Sequence, residues 1–88
     1  MQPSAPSVAV RVLLFATYAE QAGRTLVELS LPAPATVEDV LRQLRASLPG
    51  ADRLPERPLV AINRAHAPLG APVREGDEIA FLPPLAGG

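Results

Sequence analysis

The stretch Val8-Ala9-Val10-Arg11-Val12-Leu13-Leu14-Phe15-Ala16 decides the fold. Val8, Val10 and Val12 recur at alternate positions, the period of a β-strand, and their branched side chains suit a pleated surface. The intervening face carries Arg11, but also Leu13 and Phe15. A strand that is apolar on both faces belongs in the middle of a sheet, with neighbours on either side.

On its C-terminal side, Thr17 to Gly23 reads as a short connection that turns at Gly23. Thr25 to Leu31 then alternates cleanly, with Leu29 and Leu31 inward and Glu28 and Ser30 outward, which predicts a half-buried second strand. Pro32-Ala33-Pro34-Ala35 breaks the pairing. Thr36 stands three residues before Asp39, a pattern like a capping box, and Val37, Val40, Leu41, Leu44 and Leu48 follow at helical spacing until Pro49-Gly50. Ala51 to Pro58 is expected as a loop, Leu59 to Asn63 as a third strand turning at Asn63-Arg64, and the residues around His66-Ala67 as a short local pairing. Glu75-Gly76-Asp77 predicts a tight turn with a positive φ at the glycine, and Glu78 to Leu82 a final strand stopped by Pro83-Pro84.

The order is strand, strand, helix, strand, short strand, strand. A mixed sheet with one main helix across one face satisfies it if the last strand returns parallel to the first. That α+β arrangement is a β-grasp, or ubiquitin-like, roll. Its expected inward residues are Val10, Val12, Leu14, Leu29, Val37, Val40, Leu41, Leu44, Ile62, Ile79 and Phe81. Residues 1–7, with two prolines and two serines, read as a disordered leader, 8–83 as the domain and 84–88 as a flexible tail.

With 88 residues there is room for one modest core, and 48% hydrophobic residues with a net charge of −1 describe a globular chain rather than a disordered one. The basic residues are scattered, which argues against a nucleic-acid partner. The longest wholly apolar run, Val12 to Ala16, is too short for a bilayer, and Met1 to Ser7 lacks the basic and apolar regions of a signal peptide; no membrane partner and a cytoplasmic location are expected. There is no cysteine, so thiolate nucleophiles and cysteine-based metal sites are excluded within the chain. There is no lysine either; no side-chain amine here could accept an acyl group.

No catalytic constellation emerges. His66 is the only histidine, and a metal site needs several convergent ligands, so it reads as a surface or edge residue. Glu38 and Asp39 sit in a first helical turn, where carboxylates complement the dipole. No glycine-rich nucleotide loop is present. What remains is the end of the chain, Phe81-Leu82-Pro83-Pro84-Leu85-Ala86-Gly87-Gly88. Gly87-Gly88 is the narrowest peptide available and can enter a slot that any Cβ would block. Pro83-Pro84 gives it a stiff base, and the five residues from Pro84 can reach about 17 Å.

Together Val10 to Ala16, Thr36 to Leu44, Leu59 to Asn63, Arg74 to Pro84 and the closing Gly87-Gly88 resemble the small subunit of molybdopterin synthase, the MoaD family within the MoaD/ThiS ubiquitin-like sulfur carriers. The resemblance covers nearly the whole chain after residue 7. It implies a non-catalytic, sulfur-donating subunit of a heteromeric sulfurtransferase. In that family an E1-like (MoeB-like) enzyme adenylates the terminal glycine with ATP. Sulfur from a donor such as a cysteine desulfurase or rhodanese then displaces AMP to leave a thiocarboxylate. The tail enters a MoaE-like large synthase subunit, where sulfur passes to cyclic pyranopterin monophosphate for molybdenum cofactor biosynthesis. Carried over, the reactive group is the Gly88 carboxylate, with Gly87, Ala86 and Leu85 as the tail. No cofactor is expected on this chain; ATP is used by the activating partner.

The family's partner-facing apolar patch matches Phe15, His66 and Leu82, and His66 departs from the apolar residue often found there. Phe15 and Leu82 alternate away from the expected core and should lie side by side on parallel strands, opposite the helix. Sister carriers for thiamine, cysteine or tRNA thiolation share the fold and tail. A protein modifier conjugated to lysines, and an interaction module without tail chemistry, are the other readings open to the sequence.

Overall fold

The computed structural model describes residues 6–47 and 58–82. The elements in order are β1 (Ser7–Leu14), α1 (Ala16–Ala22), β2 (Leu26–Pro32), β3 (Ala35–Thr36), α2 (Val37–Ser47), β4 (Leu59–Ile62), β5 (Ala65–His66), β6 (Pro72–Val73) and β7 (Glu78–Leu82). The main sheet has five strands in the order β2-β1-β7-β4-β5, with β1 and β7 at its centre and parallel to each other. This is the β-grasp expected from the sequence.

The alternation in β1 sets which face is buried. Val10, Val12 and Leu14 are buried, as are Val27 on β2 opposite Val12, Ile79 and Phe81 on β7 opposite Val12 and Leu14, Val60 on β4 opposite Phe81, and Leu31 on β2 opposite the half-buried Val8. Against this face lies α2, which contributes Val37, Val40, Leu41 and Leu44. Leu29 and Ile62, expected inside, are only partly buried and pack at the margin of the core. Tyr18, Val27, Ala35, Val60 and Val73 belong to the core and are not among the expected residues.

The start of α2 is fixed as its sequence suggests. Thr36 N donates to Asp39 Oδ2 at 2.9 Å, and Asp39 N donates to Thr36 Oγ1 at 3.3 Å, so each residue caps the other. The next two amides are satisfied from outside, with Val37 N donating to Ala71 O and Glu38 N to Leu69 O. Arg42 Nη1 reaches Asp39 Oδ1 at 3.0 Å. The backbone hydrogen bond from Thr36 chiefly, joined by Thr36's hydroxyl and Arg42 and opposed by desolvation, holds Asp39 below the usual carboxylate range.

Two elements depart from the reading of the sequence. Thr17 to Gly23 is not a simple connection: residues 16–22 form α1, ended by Gly23 at φ 75 with its N–H donating to Ala19 O. One buried tyrosine, Tyr18, anchors this two-turn helix, and burial pushes its phenol up. The second is the pairing of β3 with β6, two residues each, which ties the entry of α2 to the loop before Arg74. Strand β1 also takes in Ser7, opposite Pro32, a residue the sequence reading places in the leader. The leader's first five residues, the helix stop at Leu48 to Gly50, most of the loop that follows, Pro83 and the expected tail of residues 84–88 lie outside the described residues.

The Arg74-Glu75-Gly76-Asp77 turn fastens β7 to β1. Gly76 has φ 83, and its N–H donates to Ala9 O at 2.8 Å. Glu75 Oε1 accepts from Ala9 N, Asp77 Oδ2 from Arg74 N, and Asp77 O from Arg11 N. Asn63 joins this cluster from the β4–β5 turn: its Nδ2 donates to Asp77 Oδ1 and its Oδ1 accepts from Glu78 N. Each of these bonds locks the register in which β7 runs toward the tail.

Candidate functional site

The outer face of the sheet, opposite α2, is built by the residues that alternate with the core. Because β1, β2, β4, β5 and β7 are in register, these residues form rows across the strands. One row runs Leu26, Leu13, Ala80, Ala61, His66, each directly opposite the next. A second, nearer the end from which the chain leaves β7, contains Leu82 opposite Leu59. Phe15 extends that row: it follows Leu14, whose partner is Phe81, and its backbone is extended at φ −124 and ψ 154.

Phe15, Leu26 and Leu59 are 44%, 41% and 43% exposed, and they are the large hydrophobic side chains that stand out in water among the described residues. All three lie on this one face. Isolated surface leucines are ordinary, but a cluster on one end of one sheet face is a site for covering.

Phe15, His66 and Leu82, the residues expected to face a partner, therefore share a face. His66 is exposed and Leu82 half-buried. The tail residues Leu85, Ala86, Gly87 and Gly88 lie outside the described residues. Leu59, Leu26 and Leu13 were missed by the sequence reading, although a signal was available: with Ile62 and Leu29 inward, strict alternation turns Leu59 and Leu26 outward.

Below the apolar rows the face becomes charged, with Arg11 between Glu28 on β2 and Glu78 on β7. Elsewhere an open groove of about 450 Å³ runs between α2 and β2, lined by Leu31, Pro34, Arg42 and Gln43 among others, at the end of β2 remote from Leu82. No group of three His, Cys, Asp or Glu among the described residues could hold a metal ion. No helix among them is long and apolar enough to cross a membrane. Among the described residues this arrangement sets one carboxyl in that groove, Asp39, already engaged by Thr36 and Arg42. What it offers is a flat apolar face beside the root of the C-terminal segment.

Comparison with known proteins gives this geometry a lineage. The molybdopterin synthase sulfur carrier subunit of Arabidopsis thaliana is 32% identical over 82 residues, 93% of this chain and 85% of that protein. The protein of the same name from Escherichia coli (strain K12) is 35% identical over 84 residues, 90% of this chain and 99% of that one. Among solved structures, the small archaeal modifier protein 1 of H. volcanii superposes with a TM-score of 0.80 at 31% identity, over 89% of this chain and 99% of that chain. The model of the ThiS family matches residues 12–88, from the middle of the central strand to the last glycine. The chain belongs to the ThiS family.

Proposed function

We propose that this protein is the sulfur-carrier small subunit of a molybdopterin synthase, working through the carboxylate of Gly88. The observation that carries the reading is the apolar outer face at the end of β7, six residues before that glycine, in a chain whose family match runs through it. The two relatives named above support the choice of pathway, since both bear that function in their names.

The chemistry follows from the group. A carboxylate resists nucleophilic attack because its carbonyl carbon carries no leaving group. An E1-like partner would attach AMP from ATP, with release of pyrophosphate, so that the difficult substitution becomes two easier ones. The outer sulfur of a donor's persulfide then attacks the carbonyl carbon and expels AMP to give an acyl disulfide, and a second thiol cleaves its S–S bond, becoming disulfide-linked to the donor's own sulfur and leaving a thiocarboxylate. The chain contributes neither the nucleotide site nor a catalytic side chain. It contributes a lead of residues 84–88 that a narrow channel admits, and a face that positions that lead. The large synthase subunit would accept the tail and deliver its sulfur to cyclic pyranopterin monophosphate, so the working unit is a heteromeric complex.

The test is reconstitution. The purified chain, an E1-like adenylating enzyme from the same organism, ATP and a sulfur source should yield a C-terminal thiocarboxylate, and a chain lacking Gly88 should not. A chain activated in this way that never takes up sulfur would refute the reading. A second reading, a protein modifier, is favoured by the name of the H. volcanii neighbour. It requires amide bonds between Gly88 and lysines of other proteins, visible as larger adducts.

A further inference from the structure

The three residues expected to meet a partner leave most of the apolar face without a role. Leu59 stands directly opposite Leu82, is 43% exposed, and faces outward because its neighbour Val60 is buried opposite Phe81. Leu26, on the β2 edge of the same face, stands directly opposite Leu13 and is 41% exposed. Neither contributes to the core, and both are bulky. The next row along the strands is Glu28, Arg11 and Glu78, so the apolar area has a charged border on the side away from the tail. An apolar centre with a polar rim is the anatomy of a protein–protein interface.

We propose that Leu59 and Leu26 are docking residues. The large synthase subunit that accepts the Gly88 tail covers both apolar rows from β2 to β4, and its footprint stops at the Glu28–Arg11–Glu78 row. This rests on the sulfur-carrier reading above. The occupant is set by continuity: Leu82 lies in the patch, and the six residues from Pro83 to Gly88 span at most about 20 Å. Any protein that buries Gly88 in an active site must therefore sit over the ground beside Leu82, which Leu59 and Phe15 flank. Apart from His66 these rows offer the partner no polar side chain, so the complementary surface is apolar.

The experiment titrates the full chain into the large subunit of molybdopterin synthase from the same organism by calorimetry, with Leu59→Asp, Leu26→Asp, Phe15→Asp and Ser30→Asp. Ser30 is exposed on the same face beyond the charged row, opposite Ala9. Leu59→Asp should weaken binding about 30-fold or more, Leu26→Asp about tenfold, and Ser30→Asp less than about twofold. Thermal midpoints near the parent's would show that the variants fold. If Leu59→Asp melts early, Leu59→Ala, which adds no charge, should still weaken binding about threefold or more. Leu59 variants that bind like the parent while Phe15→Asp does not would overturn the proposal. So would a concentration-dependent dimer of the isolated chain that Leu59→Asp dissolves, since a second copy would then be the occupant. If instead the parent chain fails to bind and deleting Gly88 changes no sulfur transfer, it is the sulfur-carrier reading that falls.

Discussion

Phe81 and Leu82 are adjacent in β7 and have opposite fates, and substituting each separates fold from function. Phe81 is fully buried between Leu14 and Val60, its register partners on β1 and β4. Replacing it with alanine removes the largest fully buried side chain in the core and should cost about 3–5 kcal/mol. A chain of 88 residues has a total stability of about 4–13 kcal/mol, so the loss is a large part of it. At about 4–8 °C per kcal/mol for a domain of this size, the midpoint should fall by about 12–40 °C. Leu82→Ser removes a half-buried side chain from the outer face and should cost about 1 kcal/mol. Thermal and urea unfolding of both variants, followed by circular dichroism, measure the difference. Equal losses, or a greater loss for Leu82→Ser, would refute the alternation on which the placement of the docking face depends.

Other outcomes follow from the turns and the cap. Thr36→Ala, which breaks the reciprocal cap on α2, should cost about 1 kcal/mol in urea unfolding. Asp39 has a folded pKa below its unfolded one, so its stabilisation is present above the unfolded carboxylate range and lost as pH falls through the folded value; Asp39→Asn should flatten that part of the acid-unfolding profile. Gly76→Ala should cost about 1–2 kcal/mol from backbone conformation alone, because φ is 83 and no heavy atom lies within 4 Å of the added Cβ. Arg64 has φ 74 after Asn63 at φ 50, a turn that favours Asn-Gly, so Arg64→Gly should raise the thermal midpoint.

How far the sequence is legible follows from how local each signal is. Strands β1 and β7 carry alternation over enough residues to fix which face is buried, and Thr36-Asp39 announces α2 through a bond pattern contained within four residues. Gly76 is legible because only one residue type takes that backbone angle cheaply. Helix α1 escapes notice because its buried stripe is Tyr18 with two alanines, Ala19 and Ala22, too weak a periodicity to stand out, and no side chain caps its start at Phe15. Strands β3 and β6 are two residues each and exist only through each other, which no local pattern encodes. On the outer face, Phe15 and Leu82 follow from alternation and family resemblance; alternation also turns Leu59 and Leu26 outward, but their place beside Leu82 and Leu13 needs the register of four strands. Gly88, proposed above as the reactive residue, is the reverse case, since that reading lies in the chemistry of a chain end and not in packing.

The most direct test of the central claim is the intact mass of the protein recovered from its own host, beside a variant lacking Gly88. A fraction heavier by the replacement of one oxygen with one sulfur, absent from the variant, is the predicted result. An unshifted free protein accompanied by larger lysine-linked species, or no difference of any kind between parent and variant, would contradict it.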